Sequence, residues 1–127
     1  MVVSKQSGPE RRETDRLFHA LADPTRRDIV IETLAHERSV SELARIYPMS
    51  FAAVQKHVAV LAEAGLVSKH RHGREQLVRG EIERIHDVHR LLDELEIAWR
   101  ARLDRFGEVL ADTTGDRSRS TRRREAP

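Results

Sequence analysis

A chain of 127 residues has the length of a single domain, about 100–200 residues, and 35% of its residues are charged against 4% aromatic. It has no cysteine, which excludes disulfides, thiolate metal sites, iron–sulfur clusters and cysteine nucleophiles. No apolar run approaches the roughly 18–20 residues of a membrane span, and the charged start lacks a signal-peptide core; 61 residues are Ala, Glu, Lys, Leu or Arg, so the expectation is a cytoplasmic, mostly helical protein with no membrane association.

Residues 1–13 show no periodicity, contain Ser-Gly-Pro and read as a flexible lead. From Thr14, Leu17, Phe18 and Leu21 form a short helical stripe. Asp23-Pro24 ends it and opens a second helix, with Asp23 as N-cap, Pro24 at the first helical position, and Ile29, Val30, Thr33 and Leu34 on one side. Ser39-Val40-Ser41-Glu42 is a capping box that starts a brief helix, with Val40, Leu43, Ala44 and Ile46 facing inward. Tyr47-Pro48 breaks that helix. Ser50 caps the next one, which buries Val54, Val58 and Leu61 and stops at Gly65. Helix, short turn, helix is the outline of a DNA-reading pair. Residues 66–70 and 75–79 then read as two short strands around Arg71-His72-Gly73-Arg74, with Gly80 closing the hairpin. A long helix follows, from about residue 81 to 111. Its stripe runs Ile85, Val88, Leu92, Leu95, Trp99, Leu103, Phe106 and Leu110, too long for one small domain to cover, so a partner helix is the economical cover. Residues 112–127 carry five arginines and almost nothing apolar, the composition of a disordered basic tail. The domain is therefore expected over residues 14–111.

The net charge of +2 is segregated: residues 66–80 sum to +3, residues 81–112 to −4 and residues 113–127 to +3. A positive island at the hairpin points to a local contact with a polyanion, or else to ordinary surface charge.

The order of elements, mainly α with a small β-hairpin, describes a winged helix–turn–helix with a long C-terminal dimerisation helix. Leu21-Ala22-Asp23-Pro24-Thr25-Arg26 resembles the opening signature of ArsR-type bacterial transcription regulators. Ser50-Phe51-Ala52-Ala53-Val54-Gln55-Lys56-His57-Val58 with Leu61 resembles their recognition helix. Ala64-Gly65-Leu66-Val67 and Arg71-His72-Gly73-Arg74 resemble its exit and the wing. The likeness spans roughly residues 16–105. It implies a cytoplasmic homodimer that binds operator DNA and usually represses a nearby promoter.

In such a protein the N-terminal residues of the recognition helix reach base edges in the major groove. Ser50, Phe51, Ala52, Gln55 and Lys56 occupy that position: Gln55 suits adenine, Lys56 a guanine or a phosphate, and Phe51 and Ala52 a thymine methyl. Many relatives carry other residues where this chain has Ala52 and Gln55, so base preference does not transfer. His57 matches a family position associated with the DNA backbone, or is a partly buried structural histidine. At the wing, Arg71, His72 and Arg74 flank Gly73 and fit a phosphate or a narrow minor groove, with Lys69 and Arg79 as further phosphate contacts; the alternative is a solvated hairpin. Leu92, Leu95, Trp99 and Leu103 are the expected dimerisation residues. The partners are then double-stranded DNA and a second copy, with a small-molecule or protein effector left open.

Many ArsR-type proteins sense soft metals through Cys-Val-Cys, where this chain has Ser39-Val40-Ser41, whose hydroxyls cannot replace thiolates. Others bind ions across the dimer through Asp-x-His and a second His-containing pair. Asp87-Val88-His89 supplies the first half, but Arg100 and Leu103 stand where the second half belongs. No metal, cofactor or catalytic residue is expected. Phosphate loops, zinc-hydrolase motifs and nucleophile elbows are all missing, and the chain does not read as an enzyme. The alternatives are a winged-helix protein-interaction module that never touches DNA and a metal-responsive repressor.

Overall fold

The structure, a computed structural model, describes the backbone of residues 8–125 and the side chains of residues 10–113. In chain order the elements are α1 (Gly8–Leu21), α2 (Pro24–Ala35), β1 (Arg38–Ser39), α3 (Val40–Ile46), α4 (Phe51–Glu63), β2 (Val67–His72), β3 (Glu75–Gly80) and α5 (Ile82–Glu125). The fold is a winged helix–turn–helix: mostly helical, with a small antiparallel sheet and a long last helix.

Each junction has a local cause. Asp23 caps α2 by accepting the Arg26 N–H at 3.0 Å, and Pro24 follows where a missing N–H costs nothing. Two arginines of α2 reach back to the last carbonyls of α1. Arg26 donates to Ala20 O and His19 O at 2.7 and 2.9 Å, and Arg27 donates to Leu21 O at 2.8 Å. These carbonyls have no partner within α1, so the Asp-Pro-Thr-Arg-Arg run satisfies both sides of the corner. Ser39 and Glu42 form the reciprocal capping box that starts α3. Helix α4 ends in a Schellman motif: Gly65 takes φ +76°, Leu66 N–H donates to Leu61 O at 2.9 Å, and Gly65 N–H to Ala62 O at 3.0 Å.

Strands β2 and β3 pair from Val67↔Gly80 to His72↔Glu75. Gly73, φ +64°, takes the first position of the two-residue turn, where a hairpin's twist demands a positive φ. The core between helices and sheet is built from Leu17, Ile29, Leu43, Val54, Val58, Leu61, Leu66 and Val78. The buried Thr33 hydroxyl donates to Ile29 O at 2.7 Å, so it costs no unsatisfied polar group.

The structure departs from the sequence reading in several places. Helix α1 starts at Gly8, inside the stretch expected to be a flexible lead; Thr14 bonds back to Glu10 O at 3.0 Å, and residues 1–7 lie outside the described residues. A third strand, β1, pairs with β3 through Arg38↔Val78 and Ser39↔Leu77, giving the sheet order β1-β3-β2. Two residues are too few to show an alternating pattern. The hairpin strands run to His72 and begin at Val67 rather than Leu66, which serves the helix exit instead. Ile46 is exposed rather than inward, being the last residue of its helix. Helix α5 begins at Ile82 and runs through the segment expected to be disordered from residue 112, up to Glu125; that segment has no proline before Pro127, and arginine is a good helix former. Residues 126 and 127 lie outside the described residues.

The chain divides into two units, one up to Leu91 and one from Leu92. The first holds the core just described, and Ile85, Val88 and Leu91 of α5 pack against it. The second is the remainder of α5. No helix among the described residues is long and apolar enough to cross a membrane.

Candidate nucleic-acid interface

Helix α4 is set by Ser50, whose extended backbone and hydroxyl, accepting the Ala53 N–H at 3.1 Å, fix where the helix begins. Burial of Val54, Val58 and Leu61 then fixes its rotation. With about 100° per residue, Ala52, Gln55 and Lys56 lie on the opposite side; Phe51, in the first turn at the leading end of the Val54–Val58 row, is exposed with them. Phe51 is 47% exposed. The first turn carries no acidic residue, so the positive end of the helix dipole is not neutralised from within.

His57 differs from these neighbours. Its side chain is 21% exposed, and its Nδ1 lies 3.4 Å from Arg26 Nη1 and 4.0 Å from Asp23 Oδ2. It joins the recognition helix to the corner between α1 and α2. Asp23 is held below the usual carboxylate range, chiefly by the backbone N–H of Arg26 and further by the charge of the Arg26 guanidinium.

The wing places Arg71, His72 and Arg74 at the exposed tip around Gly73. Lys69 on β2 is exposed as well. Arg79 is partly neutralised by Glu81 at 3.3 Å. Glu81 sits below the usual range mainly because the Ser68 hydroxyl donates to it at 2.7 Å, with Arg79 adding to the effect. At the base of the wing His70 Nε2 lies 3.3 Å from Glu37, tying β2 to the segment before β1. Strand β2 packs beside α4, so wing and recognition helix belong to one unit.

Three contributors were missed from sequence. Arg26 stands out in the sequence only as part of a motif, and Arg84 and Glu37 do not stand out at all. Each acts on a residue far along the chain, and no local spacing signals that.

The acidic residue of the Asp87-Val88-His89 half-motif is occupied: Arg84 lies 3.2 Å from one carboxylate oxygen of Asp87, and Arg90 contacts the other. Among the described residues no group of three or more His, Asp or Glu side chains converges as a metal site would require. In the second unit Leu92, Leu95, Trp99, Leu103, Phe106 and Leu110 are all exposed along one helical stripe, Trp99 at 58%.

Comparison with known proteins places this geometry. The helix-turn-helix domain family matches residues 21–70. The HTH-type transcriptional regulator Rv2034 of Mycobacterium tuberculosis is 54% identical over 57 residues, 44% of this chain and 52% of that protein. The chain thus spans about half the length of this curated relative. The crystal structure of an ArsR family transcriptional regulator, RHA00566, superposes with a TM-score of 0.66 at 31% identity, over 71% of this chain and 93% of that one. A homodimeric winged helix-turn-helix DNA-binding domain of Mb0332 from Mycobacterium bovis, a possible ArsR-family regulator, superposes with a TM-score of 0.55 at 26% identity, over 75% and 88% of the two chains.

Proposed function

The chain belongs to the ArsR family of winged helix–turn–helix transcriptional regulators, and we propose that it is a sequence-specific DNA-binding repressor that grips an inverted-repeat operator as a cytoplasmic homodimer. The observation that carries this reading is the exposed leading face of α4. Phe51, Ala52, Gln55 and Lys56 stand clear of the protein while Val54, Val58 and Leu61 hold the helix from behind. Gln55 offers a donor and an acceptor to an adenine edge, Lys56 a cation to guanine or phosphate, and Phe51 and Ala52 apolar contact to thymine. Ser50 and the wing residues Arg71, His72 and Arg74 grip the phosphates beside the groove, sequence-independently. The protein acts by occupying DNA, not by catalysis.

The second copy is held by the stripe on residues 92–110. In an antiparallel pairing, Leu92 of one copy faces Leu103 of the other, and Leu95 faces Trp99. The flanking charges follow the same rule: Glu94 and Glu96 of one copy face Arg102 and Arg100 of the other. A parallel pairing would instead set the acidic 93–96 segment beside itself, and flanking charges select orientation in helix pairs. Binding an inverted repeat as a two-fold dimer requires two α4 helices in major grooves about 34–36 Å apart.

The test is selection of duplexes from a random-sequence library, followed by footprinting on the winners. Two inverted half-sites about one helical turn apart, with affinity falling steeply as salt rises, are expected. Recovery of no preferred duplex would leave a winged-helix module that binds proteins instead.

A further inference from the structure

The contact between Arg26 and His57 crosses from the α1–α2 corner to the recognition helix, and nothing in the DNA-reading face accounts for it. Arg26 is held at all three nitrogens: Nε and Nη2 donate to the carbonyls of Ala20 and His19, which fixes the guanidinium plane, and Nη1 is then directed at His57 Nδ1 at 3.4 Å. A guanidinium has only donors. Nδ1 must therefore be the acceptor, and the single ring proton of the neutral imidazole resides on Nε2. Protonating Nδ1 instead would point N–H at N–H, and the Asp23 carboxylate at 4.0 Å is too far to accept that proton directly. Nε2–H has no acceptor among the described residues.

We propose that Arg26 is a positioning residue for DNA binding: it locks His57 as the Nε2–H tautomer, so that α4 offers a ready-made neutral donor to a phosphate oxygen beside the groove it enters. This rests on the DNA-binding reading above. Asp23 completes the device, because its carboxylate fixes the Arg26 backbone while its side-chain charge stays near the ring. The motif at the opening of α2 thereby serves two ends, closing the corner and setting the hydrogen-bonding state of a recognition-helix side chain 31 residues downstream.

Two linked measurements test this on the full chain. Nitrogen-15 NMR of the free protein reads the His57 tautomer directly: wild type should show Nε2–H alone, and Arg26→Met a mixture of both tautomers, with circular dichroism confirming that the variant folds. Titration of a library-selected duplex and of its scrambled sequence then reads the consequence. Arg26→Met should weaken both duplexes alike, by about tenfold, the scale of one hydrogen bond to a charged group. Glutamine at 57 places an amide donor near the Nε2 position with no tautomer to choose. In the His57→Gln background, Arg26→Met should therefore cost little further. An equal penalty in both backgrounds would show that Arg26 acts only by supporting the corner, and a wild-type Nδ1–H tautomer would overturn the inference outright. Failure of the wild type to bind either duplex would instead refute DNA binding itself, and this proposal with it.

Discussion

Arg84 of α5 donates its Nε–H to the carbonyl of Ala64, 2.9 Å away, at the point where α4 ends. The same guanidinium meets Glu13 of α1 and Asp87 one turn further along α5. One side chain thus closes the recognition helix and ties it to the first and last helices of its unit. Replacing it by methionine preserves most of the aliphatic stem and removes the donor. Arg84→Met should lower the unfolding free energy by about 1–2 kcal/mol, the cost of leaving a helix-end carbonyl without its partner, as read by urea denaturation. The more exposed Glu13 ion pair contributes little to that loss.

Glycine is required at two positions around this contact and its neighbour. Gly65 has φ +76°, and an added Cβ would stand 3.1 Å from Arg84 Nε. Gly65→Ala should destabilise by about 1–2 kcal/mol from the left-handed backbone alone. At Gly80, an added Cβ would lie 2.8 Å from both the backbone N and Cγ of Leu34. Backbone cannot swing aside as a side-chain tip can, so Gly80→Ala should cost about 1–3 kcal/mol and shift the end of β3 away from α2. Alanine at Gly107, where nothing lies within 4 Å, is the control and should be neutral or stabilising.

Much of this was legible in the sequence, and what was missed has a common cause. Caps and stops depend on neighbours in the chain, so Asp23-Pro24, Ser39 with Glu42, Ser50 and Gly65 each marked their junction correctly. The buried rows of α4 followed from helical spacing for the same reason. Strand β1 escaped because two residues carry no periodicity and its partner β3 lies about 40 positions away. Ala52, Gln55 and Lys56 could be named because exposure follows from the same spacing, Phe51 and the wing residues because a helix's first turn and a hairpin tip lie at the surface. The Arg26–His57 and Arg84–Ala64 contacts could not, since long arginines choose acceptors in space rather than along the chain.

Acid should weaken the fold through three carboxylates. Glu42 is held below the usual range first by the Ser39 N–H and then by the Ser39 hydroxyl, Asp23 by the Arg26 N–H, and Glu81 by the Ser68 hydroxyl. A carboxylate whose value is lower in the folded than in the unfolded chain contributes stability above its unfolded value, about 4, and loses it as pH falls through the folded one. Thermal unfolding should therefore be nearly flat with pH above about 5 on account of these groups and fall below about 4. Glu42→Gln retains an acceptor without the charge; it should flatten the acid limb while lowering stability at neutral pH.

At the wing, Arg71→Ala with Arg74→Ala should weaken every duplex by a similar factor and reduce the salt dependence by about one unit of slope per lost phosphate contact. A loss confined to one base position would instead assign these arginines to base reading.

Dimerisation through the second unit gives a charge-reversal test. Leu95→Asp should yield monomers in sedimentation equilibrium. Glu94→Lys with Glu96→Lys should weaken the dimer, and adding Arg100→Glu with Arg102→Glu should restore it, because antiparallel pairing sets those two groups against each other. Restoration would not occur in a parallel pair, where each group faces its own kind.

The most direct measurement is the affinity of wild type and of a Gln55→Ala, Lys56→Ala variant for a library-selected duplex and for its scrambled sequence. If the exposed side of α4 reads bases, the variant should lose about 10- to 100-fold on the selected duplex, far less on the scrambled one, and so forfeit most of its discrimination. Equal affinity of wild type for both duplexes, or discrimination that survives the double substitution, would contradict the assignment of α4 as the reading element.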